Sequence, residues 1–386
     1  MSGPLKLPLA DGTLSSYLPS AQAPFFAKPE APFTSRVAYA AAHVVKDPLG
    51  PDAGEAAIDW DATLRFREHL WSYGLGVAEA MDTAQRGMGL DYAATRALIA
   101  RACSAAGAAG GRIVCGAGTD QLPAGPATLE QIAAAYDEQC EHIEASGGRV
   151  VVMASRHLAA AAAGPDDYAQ VYERVLSQVK EPVIIHWLGE MFDPALAGYW
   201  GSRDVAVAMD VCLDVLARHA HKIEGIKLSL LDAAHEVAFR ARLPQGVRMF
   251  TGDDFNYPEL ILGDGEHHSD ALLGIFDAIA PAASAALQAL DAGDVERYRA
   301  VLEPTVALSR HMFAAPTFYY KTGIVFLAYL NGFQDHFRMV AGLESARSII
   351  HLSDLFRLAD QAGVLRDPAA AAERMRPVLR LAGIDA

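Results

Sequence analysis

Short apolar segments recur along the chain every few tens of residues: Val37 to Val45, Gly74 to Met81, Arg112 to Gly116, Arg149 to Ala154, Pro182 to Leu188, Ile223 to Leu228, Val247 to Thr251 and, less clearly, His267 to Leu273. Between them run Ala-rich stretches with apolar residues at helical spacing, including Asp91 to Ala106, Thr128 to Ala145, Asp166 to Val179 and Asp204 to Ala220. Asp91, Thr128 and Asp204 sit where an N-cap side chain belongs. The apolar segments are nearly continuous rather than alternating, so both of their faces need cover, which predicts a parallel sheet flanked by helices. About eight such strand and helix units predict an α/β fold, a (β/α)8 barrel over residues 36–280. An open doubly wound sheet is the competing arrangement. No GxGxxG follows the first strand, so the usual mark of a dinucleotide site is missing.

From Pro281 onward only helical spacing remains, through Ala282 to Leu290, Asp294 to Met312, Tyr319 to Leu330 and Ser345 to Ala362. This predicts a C-terminal helical region, residues 281–386, packed on the barrel. Residues 1–35 carry six prolines (4, 8, 19, 24, 29 and 32), which forbid continuous helix and predict an extended N-terminal arm lying over the domain or a partner subunit.

Composition narrows the partners. The chain has 386 residues, 52% hydrophobic and 20% charged, and its formal net charge of −15 opposes a nucleic-acid backbone or an acidic membrane surface. The four cysteines, 103, 115, 140 and 212, form no CxxC pair and read as small core residues in a reducing compartment. The N-terminus lacks a secretory pattern, and no apolar run approaches the ~18 residues that cross a bilayer. A cytoplasmic location is expected. The chain has seven lysines (6, 28, 46, 180, 222, 227 and 321), few enough to weigh one by one.

In a barrel, reactive groups belong at the carboxyl ends of strands. Those positions are His43, Asp82 and Thr83, Asp120, Ser155 to His157, His186 to Glu190, Lys227, Gly252 to Asp254, and His267 to Asp270. Strand alternation across Ile223 to Ser229 puts Ile226 and Leu228 on one face and Gly225 and Lys227 on the other, so Lys227 points into the barrel. A desolvated ammonium loses its proton more easily, which suits imine formation with a ketone or aldehyde. The plain alternative is a structural lysine paired to Glu79 or Asp254. Lys321 falls in the helical region, where its amine can reach solvent. His186, on the neighbouring strand, suits a proton shuttle, or a core role holding a carbonyl. A different chemistry would use His186, Glu190 and His267, within a set including Asp193, His268 and Asp270, as N/O ligands of a divalent metal in an isomerase or hydrolase.

The order of elements and motifs resembles the dihydrodipicolinate synthase and N-acetylneuraminate lyase family of class I, Schiff-base aldolase-like barrels, from about Val37 to Gly383. The matching pieces are Ile58-Asp59-Trp60-Asp61, Cys115 to Thr119, Gly225-Ile226-Lys227, Met249 to Asp254 and Leu262 to Gly265. The resemblance implies a carbon–carbon lyase with no cofactor beyond a covalent lysine imine on Lys227, a small-molecule carbonyl substrate, and a homo-oligomer. It also implies substrate contacts from Gly252, Asp254 and Ser269. Two departures stand out. The family's carboxylate-binding turn after strand 2 aligns with Asp82-Thr83-Ala84-Gln85-Arg86, which keeps one threonine, and the family's tyrosine on strand 5 is replaced by His186. Each lost charge-assisted bond is worth about 1.5–3 kcal/mol, which argues against pyruvate binding. The resulting expectation is a divergent branch in which Lys227 forms the imine, His186 moves the proton and Thr83 orients it. The acids Asp82, Asp253 and Asp254 favour a neutral polyol such as a sugar derivative over a dianion, and the expected substrate is of the keto-sugar or sugar-acid type. A non-catalytic ligand-binding descendant is the remaining alternative.

Overall fold

The computed structural model describes residues 3–385. Eight parallel strands close into one barrel: β1 (Ala38–Ala41), β2 (Gly76–Glu79), β3 (Ile113–Ala117), β4 (Arg149–Met153), β5 (Val183–Leu188), β6 (Ile223–Ser229), β7 (Arg248–Thr251) and β8 (Asp270–Leu273), with β8 pairing back onto β1. The ring excludes the open sheet, and all eight strands fall inside the apolar segments of the sequence or within a residue of their ends. Strand pleating sorts the side chains. Ala78, Val114, Val151, Ile184, Phe250 and Leu272 form an inner core inside the ring, while alternate residues such as Val77, Ile185, Ile226 and Ala271 pack outward under the helices.

The helical stretches start where the capping side chains predicted. Asp91, Thr128 and Asp204 accept backbone N–H bonds from Ala94, Gln131 and Ala206, and Gln131 completes a capping box with Thr128. The chain after the barrel forms long helices Ala280–Asp291, Val295–Met312, Tyr320–Leu330 and Ile349–Gln361, followed by Pro368–Leu381, which the sequence reading did not single out. Near the N-terminus, Leu5–Pro8 and Leu14–Tyr17 pair as an antiparallel hairpin. The hairpin folds back on its own chain: Leu5 and Leu7 are buried, and the Tyr17 hydroxyl donates to Asp360 at 2.7 Å. Among the described residues no helix is long and apolar enough to cross a membrane.

The boundary of β8 carries the main correction. It begins at Asp270, so His267, His268 and Ser269 precede the strand and lie at the amino end of the barrel, away from the mouth. Ser269 is buried outside the ring, donating to Glu236 at 2.7 Å and accepting from Arg240 at 3.2 Å. It cannot contact a substrate at the carboxyl end. Asp270 pairs with Arg248 at the same amino end.

Candidate active site

Lys227 and His186 are register partners on β6 and β5, and both point into the barrel near its carboxyl end. Phe250 fills the interior beneath them, fully buried, and Gly225 leaves the room its ring needs, since a Cβ there would lie 2.7 Å from it. Gly252 does the same for the lysine. A Cβ at Gly252 would lie 2.1 Å from the Ser229 hydroxyl and 2.8 Å from Lys227 Cε, so the glycine of the strand-7 motif is needed for close approach. It provides clearance for the lysine's stem.

The Lys227 amine has neither a hydrogen bond nor an ion pair among the described residues. Glu79, one partner considered for it, faces outward and is held by the buried Arg67 at 2.8 and 2.9 Å. Burial lowers the Lys227 pKa to about 8, an effect the charges of Asp254 and Asp82 oppose. Asp254 is buried as well. Burial raises its pKa to about 7, against the Ile275 N–H that donates to it at 2.8 Å and the attraction of Lys227. Burial thus moves the two groups toward each other in proton affinity, the lysine down and the acid up.

His186 accepts or shares a hydrogen bond with Ser229 at 3.1 Å through Nε2, and its Nδ1 has no partner. Burial, then the charge on Lys227, pushes its pKa well down, so the imidazole stays neutral. Thr83 follows β2 in a tight turn, Asp82–Ala84, flanked by Ala80 and Gln85 in left-handed backbone conformations (φ 52° and 62°). Such positions cost free energy in a residue with a Cβ and persist where the surroundings hold them. Here Glu79 accepts from the Ala80 N–H, and Gln85 donates to Val340 O.

The helical region supplies what the strands do not. The Tyr320 hydroxyl lies 2.7 Å from Thr83 Oγ1, and burial raises its pKa well above the usual phenol value, so it stays protonated. Lys321, expected to reach solvent, is instead buried: its amine donates to Asp82 at 2.8 Å and to Phe318 O at 2.9 Å. Sequence reasoning missed Tyr320 as a site residue and misplaced Lys321. The run Tyr319-Tyr320-Lys321-Thr322-Gly323, placing polar groups in an otherwise apolar helix, was the available signal.

Thr83, Tyr320, His186, Ser229, Asp254 and Asp82 surround the Lys227 amine in a cavity of about 20 Å³, room for one small polar group. This cavity shares Asp82, His186 and Leu188 with a wider mouth of about 110 Å³ that Arg86, Thr119, Ser155, Arg156 and His157 also line. The formal charges of that rim pair among themselves: Arg86 with Asp120, Arg156 with Asp193, and Asp82 with Lys321. Three further side chains form a chain, Ser155 Oγ to Thr119 Oγ1 at 2.7 Å and Thr119 Oγ1 to His157 Nδ1 at 3.1 Å.

Asp253 does not face this space. Its carboxylate accepts from the Phe255 and Asn256 N–H groups and from the Asn256 side chain, an Asx-type turn that consumes both oxygens. His43, at the end of β1, is buried against Asp277 at 2.9 Å. The metal set does not assemble either. His186 lies inside the barrel, Glu190 is exposed in the turn beyond β5, and His267 is exposed at the opposite end. Among the described residues no three His, Cys, Asp or Glu side chains converge on a common point.

The family described as "Protein of unknown function (DUF993)" matches residues 5–384. No curated protein matches the sequence. Solved structures of the dihydrodipicolinate synthase family share the architecture. A prophage protein of that family from E. coli K12, in complex with pyruvate, is 15% identical with a TM-score of 0.66, covering 85% of this chain and 98% of that one. The dihydrodipicolinate synthase of Thermotoga maritima is 14% identical with a TM-score of 0.64, covering 86% and 100%. That of Oceanobacillus iheyensis is 16% identical with a TM-score of 0.62, covering 83% and 96%. At these identities the likeness is one of fold.

Proposed function

Because this chain belongs to the DUF993 family of proteins of unknown function, its activity has to be argued from the site, and we propose a Schiff-base-forming lyase or aldolase acting on a hydroxylated carbonyl compound of the keto-sugar type. The observation that carries this reading is a buried, unpaired lysine whose pKa is lowered to about 8, facing a cavity open to the mouth. The ammonium proton of Lys227 passes to Asp254 through one bridging water, since the two lie beyond ion-pair distance, and the freed amine attacks the substrate carbonyl carbon. Asp254 returns the proton as the carbinolamine loses water. The resulting iminium draws the electron pair of the bond between its α and β carbons as that bond breaks, leaving an enamine on Lys227, while the β-hydroxyl proton of the departing fragment is relayed through the Thr83 and Tyr320 hydroxyls, which hand a proton on to the enamine carbon. Reprotonation of the enamine carbon and addition of water release the second product and free the amine. Neutral His186 fixes the Ser229 hydroxyl beside the amine through Nε2.

The rim supports a neutral substrate. Among the described residues its charges are mutually paired, so an incoming carboxylate would find no free cation there to offset its desolvation. This favours a keto sugar over a sugar acid or pyruvate.

Borohydride reduction in the presence of candidate hydroxyketones, followed by peptide mass spectrometry, tests the reading: a reduced adduct on Lys227 is expected, and its absence with every carbonyl tried overturns it. The pH dependence sharpens the test. Imine formation needs the free amine, so the initial rate of adduct formation should rise with pH and level off above about 8. An ordinary lysine would keep gaining until pH ~10.4.

A further inference from the structure

The cavity does not end at the mouth. A groove of about 720 Å³ runs outward from it, and the two share Gly87, Asp120, Arg156 and His157. Its outer walls change character. Leu122, Ala124, Pro126 and Ala127 from the loop after β3 form one side, and Ala160 and Ala161 from the helix Arg156–Ala161 form the other. From Lys227 outward, three adjoining spaces with shared walls thus follow one another: a small end at the amine, a polar neck whose formal charges are paired, and an apolar trough. Drug-sized ligands occupy about 300–1,000 Å³, so the trough alone holds more than the reacting carbons of a small keto acid.

We propose that the substrate is amphiphilic, with a carbonyl and hydroxyl head at Lys227 and an uncharged apolar tail, alkyl or aryl, lying in this trough. The inference rests on the imine reading for the head and on the shared walls of these spaces for the tail. The neck sets the order of groups along the ligand. The Ser155 and Thr119 hydroxyls offer neutral hydrogen bonding there, while Arg86 and Arg156 are committed to Asp120 and Asp193. Beyond the neck the alanines and Pro126 present methyl and methylene surface, which gains nothing from a polar chain and gains from displacing water by an apolar one.

The experiment is a chain-length series. Methyl ketones from acetone to 2-nonanone are trapped on the full-length protein with borohydride, and the second-order rate of adduct formation is read at each length. Each methylene that enters the trough should raise that rate by up to about 4-fold, with the gain concentrated in the carbons that pass the neck. Ala160→Trp, which fills the trough, should cut the 2-nonanone to acetone ratio at least 10-fold, whereas Val207→Trp on the exposed barrel flank should leave the ratio as it is. A flat length series with clear adducts overturns the tail while leaving the imine reading intact. Calorimetric binding of 2-nonanone to Lys227→Ala separates the opposite case. Binding that Ala160→Trp abolishes, with no adduct in the unmodified protein, keeps the trough and removes the imine. If a second copy of this chain covers the trough instead, Ala160→Trp lowers the mass seen by light scattering and the length series is flat, which also overturns the proposal.

Discussion

Two lysines are buried at the carboxyl end of this barrel, and they have opposite surroundings. Lys321 descends from the helical region and spends its charge on Asp82 and a backbone carbonyl. Lys227 rises from β6 and meets no carboxylate at contact distance among the described residues. Burial depresses both pKa values, so burial alone does not separate them. What separates them is commitment: the ion pair fixes one ammonium in place, while the other has space in front of it and, near it, an acid whose pKa burial raises.

Exchanging each lysine for methionine gives the largest contrast. Lys227→Met should abolish adduct formation, while Lys321→Met should retain it within about 10-fold, both read by borohydride trapping. Lys227→Met should also stabilise the fold at pH 7. The folded pKa lies below the unfolded one, so the unfolded state binds more protons between pH 8 and 10.5 and the penalty of burying the ammonium is fully present below pH 8. The gain, on the order of 1–3 kcal/mol in chemical denaturation, should vanish as pH rises past 10.5. A variant less stable than its parent at pH 7 would mean that the amine is paired after all.

Tyr320→Phe comes next. It removes the hydroxyl at Thr83 without touching either lysine, and should slow carbon–carbon cleavage about 100-fold while leaving trapping of a simple ketone nearly unchanged. Equal loss in both assays would make the tyrosine a packing residue. The smallest expected effect on the comparison is that of Gly252→Ala. The added methyl crowds Ser229 and the Lys227 stem, which should cost about 1–3 kcal/mol of stability and slow the adduct about 10-fold by displacing the amine. No loss of stability would show that the strand yields at this point.

The barrel was readable because parallel strands buried on both faces leave continuous apolar runs, and the inward aim of Lys227 followed from alternation along seven residues. His186 was readable because it lies on the neighbouring strand, where it is the register partner of Lys227. Ser269 and His267 failed on a boundary. In a barrel, residues just before a strand and those just after it lie at opposite ends, so counting residues that lead into β8 with those that follow the strands put both at the mouth instead of the floor. Asp253 failed because its own turn uses both its oxygens, a local demand that a mouth position does not reveal. Tyr320 and Lys321 were missed for another reason. Helical spacing says that Tyr320–Leu330 packs, and every one of its residues is buried, but spacing does not say against what.

That helix ties the reactive chamber to chain synthesised after the barrel is complete. A ribosome-bound chain halted at residue 280 would hold every strand and Lys227, yet lack the hydroxyl on Thr83 and the cation on Asp82. Recombination that joined this barrel to a relative's tail would likewise exchange part of the reaction chamber. In this chain the tail and the chemistry have to be inherited, and engineered, as one unit.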